Sequence, residues 1–100
     1  SVYTHWLNER GGIEADLTET RLDDWDFLVV SGASTTHRDI DWLNLHLDTN
    51  NDHEFVSDVT NQWAVLGVMG PHSRELLQPL LGISLDSVHF PFCHSREVEL

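Results

Sequence analysis

The sequence predicts an α+β sandwich, in which a β-hairpin precedes strands and helices in the order βαββαβ, the split βαβ of a ferredoxin-like fold. Three observations carry this. The pair Gly11-Gly12 separates two strand-like segments, as a tight hairpin requires. Two later segments carry apolar residues at helical spacing. Between and after them lie short runs rich in Val and Leu or strictly alternating, as strands are.

In chain order, residues 2 to 8 and 13 to 21 read as strands around the diglycine, whose glycines supply the positive φ of the turn. Residues 26 to 31 form a third strand, entered through Asp23-Asp24, so the first three strands make a meander. Ser34 or Thr35 caps a helix running to about Leu47, with Ile40, Leu43 and Leu47 on its buried face. Asp39 and Asp41 lie in its early turns, where the dipole tolerates anions. Residues 48 to 52 have turn chemistry and no hydrophobic period, which predicts an exposed loop.

Residues 55 to 58 and 63 to 69 predict two further strands, the second continuous enough in Val and Leu to lie centrally. Gly70-Pro71 starts a second helix with Leu76, Leu77, Leu80 and Leu81 as its apolar stripe, and Pro79 kinks or ends it near Gln78. Residues 97 to 100 resume a strand-like alternation. Both ends of the chain therefore fall in strands, which predicts that it is excised from a longer polypeptide whose neighbours continue the sheet.

Composition narrows the function. One hundred residues form one domain's worth of chain, and a 40% hydrophobic fraction with four tryptophans predicts folding. Seventeen acidic residues against five arginines, with no lysine, give a formal charge of −12. That surface repels nucleic acid phosphates and anionic membranes, and no run approaches the ~20 apolar residues of a membrane span. The lone Cys93 allows no internal disulfide, and its neighbour His94 points to the opposite face if the segment is a strand. Seven histidines lack metal-ligand spacing, so no metal is expected; His37, His46, His53 and His72 read as solvated, at helix ends or in loops.

One acidic residue is out of place. Asp16 falls inside a predicted strand, where aspartate is depleted because its short carboxylate competes with the backbone. Such conflicts between local propensity and context collect at functional sites, although a charge on an edge strand also guards against aggregation.

The residues around it carry a resemblance. LNERGGIEADLTETRL at residues 7–22, followed by FLVVSGASTTHRDIDWL at 27–43, resembles the folate-binding unit of the aminomethyltransferase family, to which the T-protein of the glycine cleavage system belongs. WAVLGVMGPHSRELL at 63–77 and Phe90-Pro91-Phe92 with Ser95-Arg96-Glu97-Val98 agree, so the resemblance spans the chain. The wording RGGIEADLT and GVMGPxSRELL most resembles the folate domain fused behind flavin-dependent dimethylglycine and sarcosine dehydrogenases.

The resemblance implies that Asp16 is both catalytic and cofactor-binding, holding tetrahydrofolate while its nitrogen captures a one-carbon unit. It places Ser31 where the family often carries asparagine near the folate, with Ser34 replacing a second polar residue or simply capping the helix. Tyr3 and Trp6 then suit the aromatic walls of a pterin site, or else the core. Glu14, on the same strand face as Asp16, reads as solvent-exposed, and Arg21 as a surface ion-pair partner.

The implied parent is a folate-dependent enzyme acting on a small N-methylated amino acid, cytoplasmic or of the mitochondrial matrix. Its FAD would sit in a domain absent from this chain, which has no GxGxxG signature. Two alternatives stay open: a non-catalytic regulatory relative on the same scaffold, and a free-standing folate-dependent aminomethyl- or methyltransferase.

Overall fold

A computed structural model of the chain describes residues 1–47 and 53–99. The expected loop at 48–52 and the final strand residue Leu100 lie outside them. Two compact units are described in turn, Val2–Ala64 and then Val65–Leu100 with Ser1.

The first unit is built on the predicted meander. Strands β1 (Val2–Leu7), β2 (Ile13–Arg21) and β3 (Phe27–Val30) form an antiparallel sheet in the order β1-β2-β3. The β1–β2 register pairs Tyr3 with Thr18, His5 with Asp16 and Trp6 with Ala15. It then slips, so that Leu7 faces Ile13 and Glu14 is the extra residue of a β-bulge.

Asn8 explains the slip. Its Oδ1 accepts hydrogen bonds from the backbone amides of Arg10 (3.0 Å) and Gly12 (2.9 Å), and its Nδ2 donates to Glu14 Oε1 at 2.7 Å. Of the glycine pair, only Gly11 uses the left-handed region, at φ 76°. Gly12 serves by being small, since a Cβ there would come within 2.9 Å of Asn8 Nδ2. The two glycines thus have different roles, and Glu14 is part-buried against the turn instead of standing free in solvent.

As the central strand, β2 supplies the core: Ala15 and Leu17 are buried on one face. Trp6 shares that face and donates its indole N–H to Glu19 at 2.8 Å. Leu22 N and Asp23 N both donate to Asp26 O to close the β2–β3 turn, where Arg21 pairs with Asp24 at 2.6 Å in the open, as the sequence suggested.

A 3-10 turn, Ala33–Thr35, leads into helix α1 (Thr36–His46), close to the predicted span. Ile40, Leu43 and Leu47 are half-buried; the fully buried residue of the helix is Asp39. A further 3-10 turn, Thr60–Gln62, begins where Asp58 Oδ1 accepts from Thr60 N at 2.9 Å.

Residues 55–58 are not a strand, nor are 63–69. A strand must give its backbone N–H and C=O groups to a neighbour, and an apolar run like 63–69 must be covered on both faces. Among the described residues no strand pairs with it, and Leu66 and Met69 remain 88% and 89% exposed.

In the second unit, Gly70 turns the chain at φ 114° and accepts from Ser73 N and Ser73 Oγ. Helix α2 (Ser73–Leu77) comes next and ends at Gln78, passing into a 3-10 turn, Gln78–Leu80, at Pro79 as predicted. Gln78 ties the helix to residues 83–85: its Nε2 donates to Ile83 O, and its Oε1 accepts from Leu85 N, the buried residue of this unit.

Asp86 organises the next turn, accepting from the amides of Val88 and His89 and bonding to Ser84 and His89 side chains. The Ser84 hydroxyl, then His89, hold its carboxyl far below the usual aspartate range. Cys93 sits exposed at φ 63°, in a turn where His94 N donates to Pro91 O, so a strand alternation does not describe this pair. Residues 97–99 do not form the predicted strand. The described residues are thus an α+β arrangement of one three-stranded sheet with two helices, and the βαββαβ order is not formed among them.

Candidate functional site

Strand register gathers three of the chain's polar side chains. His5 stands directly opposite Asp16 and Tyr3 opposite Thr18, so Tyr3, His5 and Asp16 project from the same face of the sheet, away from buried Ala15 and Leu17. Tyr3 reaches diagonally across the strands and donates its phenol to Asp16 Oδ2 at 2.8 Å. Its ring also meets the His5 imidazole edge-on, with centroids 5.6 Å apart.

That contact sets the electrostatics. A hydrogen bond to the Asp16 carboxylate, then desolvation, then the carboxylate's negative charge raise the Tyr3 phenol above its ordinary pKa of 10.0. At neutral pH Tyr3 is therefore a donor with a fixed acceptor, and it orients the carboxylate. Asp16 and Tyr3 are both exposed, Tyr3 at 64%. Oδ1 of Asp16 remains an acceptor on an open surface, and nothing cationic is bonded to it among the described contacts.

Ser31 is committed elsewhere. Its hydroxyl bonds to Asp39, which lies buried at 4% exposure under the start of α1. Thr35 Oγ1 donates to the same carboxylate at 2.6 Å, and Arg38 Nη2 approaches it at 3.3 Å. Burial pushes the Asp39 carboxyl up, but the bonds from Thr35, Ser31 and Arg38, with the Arg38 charge, outweigh it and leave the group below its ordinary value. The structure thus brings Asp16 and Tyr3 together and gives Ser31 to the junction between β3 and α1. Trp6, the other candidate aromatic, lies on the core face.

A groove of about 560 Å3 opens beside the hairpin turn, lined by residues 7 to 10 and by Trp42, Leu45 and His46 of α1. None of Tyr3, Asp16 and Ser31 lines it. Among the described residues no cluster of His, Cys, Asp or Glu suits a metal, and no helix is long and apolar enough to cross a membrane.

Two neighbours of the candidate residues, His5 beside Tyr3 and Asp39 beside Ser31, escaped sequence reasoning. His5 was legible in principle, because Tyr3 and His5 sit two apart on a strand and share a face. What hid its partner was the register, which the bulge at Glu14 shifts. Asp39 gave no signal, since an acidic residue in the first turn of a helix is ordinarily solvated.

Comparison with known proteins covers the same residues. The chain matches the GCVT N-terminal domain over residues 1–100. It is 34% identical over 88 residues to an aminomethyltransferase of Oceanobacillus iheyensis, covering 88% of this chain and 24% of that protein. It is 37% identical over 98 residues to an aminomethyltransferase of Staphylococcus haemolyticus, covering 98% of this chain and 26% of that one. The mitochondrial dimethylglycine dehydrogenase of Mus musculus is 27% identical over 97 residues, which are 97% of this chain and 11% of the dehydrogenase. The weight of similarity therefore lies with the bacterial aminomethyltransferases, not with the dehydrogenase-fused form that the motif wording favoured. The chain spans about a quarter of the length of these bacterial relatives. No solved structure matches it.

Proposed function

The chain belongs to the GCVT N-terminal domain family, and from that premise we propose that it is part of a tetrahydrofolate-binding unit of a longer polypeptide that transfers aminomethyl or related one-carbon groups. The observation that carries the reading is the Tyr3–Asp16 bond at 2.8 Å, which fixes a carboxylate on an open sheet face in a protein of this family. The spanning of a quarter of the bacterial aminomethyltransferases supports the longer parent.

The residues present suit the ligand. Asp16 Oδ1 accepts from an amine N–H, and the rings of Tyr3 and His5 flank the same surface. Tetrahydrofolate, when bound, supplies a secondary amine nitrogen able to take up a one-carbon unit. Asp16 orients that nitrogen, favours positive charge developing beside it and accepts its proton. Tyr3 keeps the carboxylate in place. Ser31 acts one step removed, by anchoring the start of α1 through Asp39.

A second reading places this unit behind an FAD-dependent oxidoreductase of N-methylated amino acids, in the cytoplasm or the mitochondrial matrix. The 27% identity to a dimethylglycine dehydrogenase across 97% of the chain favours it. Either reading requires tetrahydrofolate at Asp16. Calorimetric titration of the intact polypeptide with tetrahydrofolate tests this: Asp16→Asn is expected to weaken binding roughly tenfold or more, the order of a charge-assisted hydrogen bond. Equal affinity in wild type and variant would remove Asp16 from the site.

A further inference from the structure

The groove beside the hairpin turn takes no part in the folate reading, since none of Tyr3, Asp16 and Ser31 lines it. One wall is the hairpin tip. Gly11 N donates to Asn8 O at 2.9 Å and closes a turn with Glu9 and Arg10 at its centre, while the Asn8 side chain holds the amides of Arg10 and Gly12. The other wall is the last part of α1, where the Trp42 indole and the His46 imidazole have ring centroids 4.4 Å apart. His46 donates from Nδ1 to Trp42 O at 2.8 Å, which fixes its ring in place. Leu7 and Leu45, 56% and 75% exposed, supply apolar surface.

Two charges stand unused in this groove. Arg21, Arg38, Arg74 and Arg96 each bond to another group of the chain, whereas among the described residues the Arg10 guanidinium bonds to none. The Glu9 carboxylate is likewise unbonded among the described residues. We propose that the groove binds a zwitterionic aromatic amino acid, with its carboxylate on Arg10, its ammonium on Glu9 and its ring along Trp42 and His46.

A ligand lying over the groove takes both charges out of water, and a desolvated charge opposes binding unless it finds a partner. A simple anion leaves Glu9 unpaired, and a simple cation leaves Arg10 unpaired. A zwitterion satisfies both. It also carries no net charge, so the formal −12 of the chain does not repel it. The guanidinium offers a carboxylate two parallel N–H donors, and the Trp42 face attracts an ammonium as well as a ring. The volume of about 560 Å3 lies within the roughly 300–1,000 Å3 of small-molecule sites. An amino acid as small as alanine leaves most of that space wet, whereas a flat apolar ring fills it against Trp42, His46, Leu7 and Leu45.

The test is calorimetric titration of the intact polypeptide with three probes: L-phenylalanine, phenethylamine, which lacks the carboxylate, and phenylacetate, which lacks the ammonium. L-Phenylalanine is expected to bind roughly tenfold or more tightly than either fragment, the scale of one charge-assisted hydrogen bond. Equal or tighter binding of a fragment overturns the inference. So does an absence of L-phenylalanine binding, the result if the longer polypeptide itself covers the groove. In Arg10→Gln the preference over phenethylamine should vanish, and in Glu9→Gln the preference over phenylacetate; preferences kept in both variants overturn the inference. None of these results bears on Asp16, which lies outside the groove.

Discussion

Tyr3 is the single tyrosine of the chain, so phenolate absorbance near 295 nm reports on the site without interference from another phenol. Its pKa is raised in the folded state, so the bond to Asp16 contributes fully below the unfolded value of 10.0 and is lost as pH rises through the folded one. We expect the titration to lie above that of free tyrosine in the 100-residue chain, and to fall back toward it in Asp16→Asn. A wild-type midpoint at the free value would show that the bond does not hold in solution. Asp16 was legible in the sequence because an aspartate in a strand after a diglycine contradicts local propensity. Tyr3 was legible as an aromatic but not as the donor to that carboxylate, since a diagonal contact depends on a register set by the bulge.

At the scale of elements, local chemistry read well wherever one residue type had one physical job. Gly11 needed its positive φ, Pro79 ended α2, and the meander came from alternation and turn residues. Reading failed where a side chain bridges elements. The Asp39 carboxylate joins the hydroxyls of Ser31 and Thr35 at the junction of β3 and α1, and neither periodicity nor capping rules reveal a buried acid there. Asp39→Ala removes the carboxylate that Thr35 and Arg38 approach, while the Thr35 hydroxyl keeps Gly32 O as an acceptor at 2.9 Å, and is expected to destabilise the protein by about 1 kcal/mol in a denaturant titration at pH 7. Because the folded-state pKa of Asp39 is lowered, its contribution is present above pH 3.8 and fades as pH falls through the folded value. Wild type and variant should therefore converge in acid. A constant difference down to pH 2 would contradict this.

At the scale of the whole molecule, the missed strands share one cause. Alternation and β-branching at 63–69 and 97–99 specify strands only where a neighbour completes the sheet, and a chain spanning a quarter of its bacterial relatives need not contain that neighbour. Val65, Leu66 and Met69 consequently remain 78%, 88% and 89% exposed. Hydrogen exchange gives the check: the amides of residues 65–69 should exchange rapidly in the 100-residue chain and become strongly protected in the intact polypeptide. Equal exchange in both would mean that these residues gain no strand partner from the longer protein.

The charge of −12 bears on the same scale, because a surface this acidic gives an anionic partner no general attraction, so that on the proposed function recognition falls to single contacts such as a ligand N–H on Asp16. The most direct measurement is therefore the rate of tetrahydrofolate-dependent one-carbon transfer by the intact polypeptide carrying Asp16→Asn, with folding verified by circular dichroism. A loss of roughly 100-fold or more, the scale of a missing general base and charge stabiliser, is the expected result. Turnover equal to wild type in a folded variant would contradict the assignment of this carboxylate to the chemistry.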